Sequence, residues 1–464
     1  MISISLEIFF SPLNVAIIGA SRNRGKIGYI ILENMILQKY KGNIYPINPY
    51  AEQILNTPVY AKLKDIPESV GLAIIALKAQ HVPKIVQECG EKGVRGIIVV
   101  TGGFGETGTE IGTERENEII KISRKYGMQI IGPNCIGVFD PYTGINSFLV
   151  PRERTIGYPK KGNIALLSQS GAILVTLIEW CAYRGIGISK TCSYGNAIDV
   201  NESDLLGYLK QDTTTKVIGM YVEGVKEGRR FYKTLRDVTK VKPVIISKVG
   251  KTKAGAKASK SHTGALAGSV ESFNAMFRQT GVITAKDLEE LLDICQCFTT
   301  QPLPKGNNVG IITNSGGHGV LATDALENND LSLAEFSSKT IEQLHSLPQH
   351  CTPLNPVDLA ADADTERYEW VTKLIISDPQ VDSVLVILIP SGPNIEFQTI
   401  KTLVAVMKSS NKPIIACLGS TFKQFEKYKR ILEDGKIPVH TLPERAIRTL
   451  GALVEYKRWN QHFQ

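Results

Sequence analysis

The sequence predicts an α/β protein built from three doubly wound domains, and three observations support this fold class. Its 464 residues suit about three domains of ordinary size. From Val15 to about Ile136, short apolar runs alternate with amphipathic stretches, which is typical of parallel strands covered by helices on both faces. The alternation resumes after two polar, proline-containing linkers, at residues 151–162 and 299–308. We therefore expect domains at residues 1–150, 151–300 and 301–464.

The apolar runs place the strands. In the first domain they are VAIIGA (15–20), NIYPIN (43–48), LAIIAL (72–77), GIIVVT (96–101) and MQIIG (128–132). Helical patterns lie between them, such as Gly28 to Lys39 and Val82 to Lys92. The second domain begins with NIALLS (163–168) and continues with GISKTCS, VIGMYVEG and PVIISKVG. The third begins with VGIITNSGG, and its later strands are SVLVILIP (383–390) and PIIACLG (413–419).

The composition is that of an ordinary globular protein, with 43% hydrophobic and 21% charged residues. No apolar run approaches the roughly 20 residues of a membrane helix, so we expect no membrane association. Residues Met1 to Phe10 carry no basic residue before their apolar stretch, unlike a secretory signal. The eight cysteines form no C-x-x-C pair. We expect them to be reduced, mostly buried thiols in a cytoplasmic protein.

The net charge of +8 fits either nucleic acid or an anionic small molecule, and charge alone does not decide between them. The chain has three tryptophans and no basic stripe interleaved with aromatic residues, which nucleic-acid binding would favour. We therefore expect an anionic small-molecule ligand and no nucleic acid.

An internal repeat follows the two linkers. The segment PKKGNIALLSQSGA (159–172) matches PKGNNVGIITNSGG (304–317) without a gap, at a constant offset of 145 residues. Each copy is a strand that ends in a hydroxyl residue, an amide residue and Ser-Gly, and then opens a helix. This pattern indicates two like domains after a different first one. The alternative is that both are ordinary strand-to-helix turns.

The loop after the first strand, GASRNRGKIG (19–28), is suited to a phosphate ligand. Its glycines allow close approach of the backbone, and the following helix presents free N–H groups. It is not G-x-G-x-x-G, and the second strand ends in Asn48 rather than the acid that holds a dinucleotide ribose, which argues against an NAD enzyme. Arg22, Arg24 and Lys26 suit a ligand with several phosphates. The alternative is a loop that is basic because it is exposed.

Gly250-Lys251-Thr252 resembles the end of a P-loop, but Ile245 stands where that motif needs its first glycine. The sequence contains no other nucleotide-hydrolysing motif. Any energy source would therefore come from another subunit or from the substrate.

A single histidine, His262, lies in the lysine- and glycine-rich segment KTKAGAKASKSHTGALAGS (251–269). A histidine on a loop of small residues has little to pack against, which weakens a structural role. A neutral imidazole attacks phosphorus well when an acceptor holds its other nitrogen. Glu223, at the end of a strand in the same predicted sheet, is a candidate acceptor. The alternative for Glu223 is a plain surface carboxylate.

Seven segments together resemble the alpha subunits of ADP-forming acyl-CoA synthetases, relatives of succinyl-CoA synthetase. In chain order they are LEIFFSPLNVAIIGAS (6–21), IGPNCIG (131–137), ALLSQSGA (165–172), MYVEGVKEG (220–228), SHTGALAGS (261–269), ITNSGGHGVLATDAL (312–326) and NPVDL (355–359). They span nearly the whole chain. The resemblance implies a Rossmann-like CoA-binding domain followed by two flavodoxin-like, succinyl-CoA synthetase-like domains.

The resemblance also implies the roles of individual residues. The CoA loop would contain Gly19, Ser21, Lys26 and Gly28, and the loop near the CoA thiol would contain Asn134 and Cys135. His262 would carry the phosphoryl group, Glu223 would orient it, and Ser170 and Gly171 would cradle the phosphate. Members of the family usually have proline where this chain has Lys78 and His318. The first difference affects CoA contacts, and the second lies near the expected phosphate.

The repeat adds one expectation that the resemblance does not supply. Each Ser-Gly turn starts a helix, which offers unpaired N–H groups and partial positive charge. If the second and third domains packed face to face, Ser315, Gly316 and Gly317 would bind the same phosphate as Ser170 and Gly171. His318 would add a donor when protonated, although a surface role is the plainer alternative.

The expected function is the interconversion of acyl-CoA, ADP and phosphate with a carboxylic acid, CoA and ATP. The partner would be an ATP-grasp beta subunit that holds ATP or ADP and magnesium, in an α2β2 assembly, while this chain holds no metal. One alternative is a CoA-dependent acyl transferase without phosphorylation. Another is a non-enzymatic CoA-sensing protein, which would not need the His262 loop. No motif covers the acyl pocket, so the acid is not predicted.

Overall fold

The computed structural model describes residues 6–252, 254–255, 269–390, 394–419 and 423–462. The chain divides into two compact units, Met1–Leu288 and Glu289–Gln464. Each unit is built on mostly parallel β-structure flanked by helices, so the α/β prediction is confirmed. All eight cysteines are buried and free of disulfide bonds, as predicted. In the part of the chain that the structure describes, no helix is long and apolar enough to cross a membrane.

The first sheet of the first unit contains five parallel strands in the order β2-β1-β5-β6-β7. These are β1 (Asn14–Ile18), β2 (Asn43–Ile47), β5 (Leu72–Ile75), β6 (Gly96–Val99) and β7 (Gln129–Ile131), with β3 (Gln53–Ile54) and β4 (Thr57–Pro58) as a separate hairpin. The helices are α1 (Glu7–Phe10), α2 (Ile27–Leu37), α3 (Val82–Lys92) and α4 (Glu110–Tyr126). Short 3-10 helices occupy Leu63–Asp65, Ala79–His81 and Gly105–Thr107.

The second sheet has seven strands in the order β14-β13-β12-β10-β11-β8-β9. Its strands are β8 (Gly137–Asp140), β9 (Ile145–Asn146), β10 (Lys161–Ser168), β11 (Ile188–Ser193), β12 (Val217–Val222), β13 (Val244–Lys248) and β14 (Ile283–Thr284). Its helices are α5 (Gly171–Arg184), α6 (Glu202–Gln211), α7 (Gly228–Val238) and α8 (Val270–Thr280), and a 3-10 helix occupies Arg152–Arg154.

Strands β8 and β9 belong to the second sheet, although the expected limit of the first domain is residue 150. β8 pairs antiparallel with β11, and β9 pairs antiparallel with β8. A buried ion-pair network reinforces this edge, because Lys190 Nζ lies 3.3 Å from Asp140 Oδ2 and 3.0 Å from Asp212 Oδ1. The expected domain limits stay a prediction, because a strand that joins a later sheet does not itself mark where a domain ends.

The two sheets of the first unit share one hydrophobic core. A single cluster of buried side chains includes Ile17 and Ile98 of the first sheet and Leu167 and Met220 of the second. Burial of so much apolar surface between the sheets favours one cooperative unit rather than two independent ones.

The second unit contains a six-stranded parallel sheet, in which β17 pairs with β15 beside the main path β16-β15-β18-β19-β20. The strands are β15 (Asn308–Thr313), β16 (Ser332–Leu333), β17 (Val357–Asp358), β18 (Ser383–Leu388), β19 (Ile414–Leu418) and β20 (Val439–His440). The helices are α9 (Leu288–Thr300), α10 (Gly316–Glu327), α11 (Ser338–Leu344), α12 (Thr365–Ser377), α13 (Phe397–Lys408), α14 (Phe425–Asp434) and α15 (Pro443–Gln461).

In each of the three sheets, the first parallel strand lies between the strand that follows it in the chain and a later strand. This strand is β1 in the first sheet, β10 in the second and β15 in the third. The chain crosses to the other side of the sheet at this strand, and ligands bind at such crossing points in open α/β sheets. The loop 19–28 and the two Ser-Gly turns of the repeat follow these strands.

Candidate functional site

A cleft of about 1170 Å³ opens at the carboxyl ends of β1, β2 and β5. This is large even for a small-molecule site. Its lining includes four of the six residues predicted to bind CoA, namely Gly19, Ser21, Lys26 and Gly28. The cleft therefore lies where the crossing point of the first sheet predicts a ligand.

Two glycines shape the rim of this cleft. Gly19 has a φ of +94°, and a Cβ atom there would lie 2.5 Å from the backbone oxygen of Ala76. A Cβ atom on Gly28 would lie 2.1 Å from the backbone oxygen of Gly19. Both contacts are with backbone. A side chain on Gly28 would push the start of α2 away from the end of β1, and one on Gly19 would push the end of β1 away from the end of β5. The two glycines thus bring the helix N-terminus and its free N–H groups close to the cleft.

The cleft is rich in lysine. Besides Lys26 and Lys78, its lining includes further basic residues that no sequence motif indicated, namely Lys62, Lys64, His81, Lys84 and Lys92. The lining carboxylates are Glu88 and Glu91. A surplus of positive charge in a concave site attracts a ligand with several phosphates.

The Asn48 side chain bonds to the backbone of the loops around the cleft, and it does not offer a carboxylate to a ribose. Its Nδ2 donates to the backbone oxygen of Ala20 at 2.6 Å, and its Oδ1 accepts from the backbone N–H of Tyr50 at 2.8 Å. The amide fixes the two loops that flank the mouth of the cleft. This arrangement supports the argument against a dinucleotide site.

The loop from Gly132 to Ile136 connects the cleft with the second sheet. Asn134 has a φ of +58°, and its backbone N–H donates to the oxygen of Thr101, a residue that lines the cleft, at 3.0 Å. Its Nδ2 lies 3.4 Å from Oδ1 of Asn196, which follows β11. At the end of the loop, Ile136 lies against the start of α5, since a Cβ atom on Gly171 would be 2.8 Å from Ile136 Cγ2.

Cys135 lies in this loop, as predicted, but its thiol is buried. Its Sγ lies 3.4 Å from the backbone oxygen of Val99, and burial raises the pKa of the thiol to about 12. A buried, protonated thiol is a poor nucleophile. Any contact of Cys135 with a ligand would therefore be made by its main chain.

The turn between β10 and α5 is held by its own side chains. Ser168 Oγ donates to the backbone oxygen of Ser170 at 2.6 Å and accepts from its N–H at 3.1 Å. The Ser170 hydroxyl caps α5 by accepting from the N–H of Ile173. Gly171 begins the helix, so its N–H group and that of Ala172 precede the intrahelical hydrogen bonds.

Glu223 is buried directly after β12, with 4% of its surface exposed, so the alternative of a plain surface carboxylate is wrong. Gln169 Oε1 accepts from the backbone N–H groups of Glu223 and Gly224. Lys248 Nζ donates to the Glu223 backbone oxygen at 2.9 Å. Burial, together with the Glu223 carboxylate, raises the pKa of Tyr221 to about 12. The backbone of Glu223 is therefore fixed beside the Ser170 turn, and its carboxylate lies near the Tyr221 hydroxyl. His262, its expected partner, lies outside the described residues.

The turn of the second unit repeats this hydrogen bonding. Thr313 Oγ1 donates to the backbone oxygen of Ser315 at 2.9 Å and accepts from its N–H at 3.0 Å. The Ser315 hydroxyl does not cap α10 but lies 2.9 Å from His318 Nδ1. Gly316 and Gly317 form the first turn of α10. His318 is thus partly buried and bonded to the turn, rather than a free surface side chain.

The described residues contain no group of three or more His, Cys, Asp or Glu side chains arranged to hold a metal ion. The chemistry available here is that of backbone amides, hydroxyls, lysines and one buried carboxylate.

Three family models match successive parts of the chain. They are a CoA binding domain over residues 14–141, a succinyl-CoA ligase like flavodoxin domain over 161–298 and a ligase-CoA domain over 309–463. The chain is also 41% identical, over 97% of both proteins, to the ADP-forming acetate–CoA ligase II subunit alpha of Pyrococcus furiosus.

A second relative is the ADP-forming 4-hydroxybutyrate–CoA ligase of Nitrosopumilus maritimus. It is 38% identical over 97% of this chain, which spans 64% of that protein's length. Among solved structures, the dinucleotide-forming acetyl-coenzyme A synthetase 1 of Ca. Korarchaeum cryptofilum, in complex with phosphate and ADP, matches with a TM-score of 0.92. The identity is 32%, and the match covers 99% of this chain and 98% of that one.

The chain therefore belongs to the ADP-forming acyl-CoA synthetases, where it matches the alpha subunits. It is an acid–thiol ligase subunit that uses CoA, and the two Pyrococcus furiosus relatives are named as alpha subunits, a designation that implies a partner subunit for those proteins. The family resemblance, the fold class and the enzyme class predicted from the sequence are confirmed. The non-enzymatic alternative is wrong, since the relatives are ligases.

Proposed function

We propose that this alpha subunit makes acyl phosphate from acyl-CoA and phosphate and then carries the phosphoryl group on His262. Residues 1–150 bind CoA, residues 151–300 carry the phosphoryl group, and residues 301–464 form the second flavodoxin-like domain. The partner is an ATP-grasp beta subunit in an α2β2 assembly, and it holds ADP or ATP with magnesium. In the reverse direction the enzyme activates a carboxylic acid with ATP.

In the first step, a phosphate oxygen attacks the thioester carbonyl carbon. The carbon–sulfur bond breaks, and CoA leaves as a thiolate that takes up a proton. This step requires the CoA thiol end and the phosphate to lie side by side. The observation that carries the proposal is the contact of Ile136, at the end of the loop that starts beside the CoA cleft, with Gly171 at the start of α5. The N–H groups at that helix start suit a phosphate oxyanion.

In the second step, an imidazole nitrogen of His262 attacks the phosphorus of acyl phosphate, and the carboxylate leaves. The positive charge that develops on the imidazole needs an acceptor at its other nitrogen. The backbone of Glu223 is fixed next to the Ser170 turn by Gln169, and its carboxylate supplies this acceptor. The phosphoryl group then passes from His262 to ADP on the partner subunit, which restores the neutral imidazole.

The test is phosphorylation of the purified full-length chain by acetyl-CoA and radiolabelled phosphate, without a partner. We expect an acid-labile, base-stable label. His262→Ala should abolish the label and Glu223→Gln should weaken it, whereas His345→Ala, at an exposed histidine after α11, should leave it unchanged. Equal labelling of the His262→Ala and wild-type chains would assign the phosphoryl group to another residue.

The same experiment distinguishes the proposed ligase function from the remaining alternative, which is an acyl transferase that uses CoA without phosphorylation. A transferase would move the acyl group between thiols with no requirement for phosphate and would leave no label on the protein. Acyl transfer that proceeds at full rate without phosphate would contradict the proposed function.

A further inference from the structure

A buried serine without a hydrogen-bond partner lies under the first turn of α5. Ser193 ends β11, and none of its surface is exposed. Its Oγ atom finds no hydrogen-bond partner among the described residues. A Cβ atom placed on Gly171 would lie 3.7 Å from this Oγ, so the hydroxyl is directed at the start of the helix.

Sheet register explains why the hydroxyl lies there. Ser193 is the register partner of Ser168 on the neighbouring strand. In-register residues on adjacent strands share one face of the sheet, and Ser168 already bonds to the turn at Ser170. Ser193 therefore faces the same helix start from the next strand, but its hydroxyl makes none of the bonds that Ser168 makes.

An unpaired buried hydroxyl is costly, because it has lost its hydrogen bonds to water without replacing them. Natural proteins contain few such groups, and those that occur often pair with a ligand or an ion. Here the neighbouring groups are the first N–H groups of α5, which attract an anion. Gly171 places no side chain at the helix start, where a Cβ atom would lie 2.8 Å from Ile136 Cγ2 and 3.7 Å from Ser193 Oγ.

We propose that Ser193 is a further phosphate-binding residue, whose hydroxyl donates a hydrogen bond to the phosphate held at the start of α5. This inference rests on the proposed function, which assigns phosphate to that turn. The Ser193 hydroxyl and the helix N–H groups would then contact the phosphate from two sides. The ligand class is inorganic phosphate and the phosphoryl group derived from it.

The first measurement is the melting temperature of the full-length chain with and without inorganic phosphate. Binding to the folded state raises the melting temperature, and at a given phosphate concentration the rise is larger for tighter binding. Without phosphate, Ser193→Ala should melt at or above the wild-type temperature, because it removes an unpaired polar group. With phosphate, the variant should lose most of the wild-type increase. The matched control is Ser383→Ala, since Ser383 is also fully buried on a parallel strand with an unpaired hydroxyl but lies in the other unit.

The second measurement is the dependence of protein labelling on phosphate concentration at fixed acetyl-CoA. Loss of a hydrogen bond to a charged group should raise the KM for phosphate about tenfold to a hundredfold in Ser193→Ala. The KM for acetyl-CoA should change little, and Ser383→Ala should match the wild type in both values.

Two results would overturn the inference. One is a Ser193→Ala chain whose phosphate response equals that of Ser383→Ala. The other is a Ser193→Ala variant that melts several degrees below the wild type without phosphate and has an unchanged KM for phosphate. That result would assign Ser193 a packing role. A wild-type chain that binds phosphate but takes up no label would contradict the proposed function instead, and the melting measurement would still decide the role of Ser193.

Discussion

Gln169 and Asn314, which are 145 residues apart, make the same pair of hydrogen bonds in two different sheets. Gln169 Nε2 donates to the backbone oxygen of Gly224 at 2.7 Å, and its Oε1 accepts from the N–H of that residue at 3.0 Å. Asn314 Nδ2 donates to the backbone oxygen of Ile389 at 3.0 Å, and its Oδ1 accepts from that N–H at 2.9 Å. Each amide joins the central strand of its sheet to the neighbouring strand end. The repeat read from the sequence is thus present in the hydrogen bonding.

Replacement of Gln169 by alanine should loosen the backbone that carries Glu223. The N–H groups of Glu223 and Gly224 would lose their acceptor, and such a loss costs about 1 to 3 kcal/mol. We expect a lower unfolding midpoint in urea and weaker phosphorylation of the chain. Gln398→Ala, at an exposed glutamine on α13, is the control and should change stability by less than about 0.5 kcal/mol. Unchanged labelling of Gln169→Ala would show that the position of Glu223 does not depend on this amide.

Gly28→Ala should weaken CoA binding strongly, because its Cβ atom would lie 2.1 Å from the backbone oxygen of Gly19 and displace the start of α2. Gly25→Ala is a matched control in the same loop, since its Cβ atom would meet only Asn23 Oδ1, at 3.5 Å. Titration calorimetry should show at least a tenfold loss of CoA affinity for the first variant and little change for the second. NAD should not bind the wild-type chain. Tight NAD binding would contradict the argument from Asn48.

Lys78→Gln should weaken CoA binding severalfold, because this lysine contributes charge to the lining of the cleft. The effect should shrink as salt is raised, since exposed charges are screened over about 10 Å at 0.1 M ionic strength. Lys121→Gln, at an exposed lysine on α4 outside the cleft lining, should have no effect. Equal affinities of the two variants at low salt would show that Lys78 does not contact the ligand.

Glu202 makes part of the stability depend on pH. Burial, with a smaller contribution from the Asp204 carboxylate, raises the pKa of Glu202 from 4.5 to about 7. Between these two pH values the folded state keeps a proton that the unfolded state has released, so the free energy of unfolding falls as pH rises. The Glu202 carboxyl group therefore destabilises the folded chain most above pH 7, where it must be ionised in a buried position.

Glu202→Gln should remove this contribution, so its advantage over the wild type should be greater at pH 8 than at pH 4.5. Glu118→Gln, at an exposed glutamate on α4, should keep the wild-type profile. Urea unfolding across this pH range provides the measurement. If the free energy of unfolding of Glu202→Gln changed with pH as it does in the wild type, the carboxyl group would not retain its proton.

Gly316→Leu is expected to impair phosphorylation as strongly as Gly171→Leu, because the repeat predicts that both Ser-Gly turns bind phosphate. Gly207→Leu provides a control for the change in residue size, since a Cβ atom on Gly207 of α6 meets nothing within 4 Å. Labelling with acetyl-CoA and phosphate measures all three variants. Normal labelling of Gly316→Leu would give the turn of the third domain another function.

The long apolar strands could be predicted from the sequence because their burial leaves a continuous signal. LAIIAL predicts a strand at 72–77, where β5 occupies Leu72–Ile75, and the helix expected at Val82–Lys92 is found with those bounds. Strands β8 and β9 were missed because they are short. β8 also pairs with Thr191–Ser193, about 50 residues later, and local periodicity carries no information on such a partner.

The glycine and Ser-Gly loops of the candidate site were predicted because their sequences depart from ordinary loop composition. The contribution of Lys62 and Lys64 to the cleft was not predicted, because a lysine pair beside a short 3-10 helix is typical of a solvent-exposed surface. The chain returns to the end of β2 at the bridge between Ile47 and Tyr60. This return places the two lysines at the cleft. Glu223 was identified from the sequence, but its burial was not. Its backbone is held by Gln169, which is distant in the sequence, and a local sequence pattern carries no information on such a contact.

The placement of β8 also determines the order in which the two sheets can form while the chain is being synthesised. The five parallel strands of the first sheet are complete once Ile131 has been made, whereas Gly137–Asp140 must wait for Ile188–Ser193 to be synthesised. At about 5 to 20 residues per second, this interval of about 50 residues lasts roughly 3 to 10 seconds. During that time Asp140 has no Lys190 to neutralise it, and β8 has β9 alone as a strand partner. Slow codons placed after this segment would lengthen the period in which an unpaired strand edge is open to other chains.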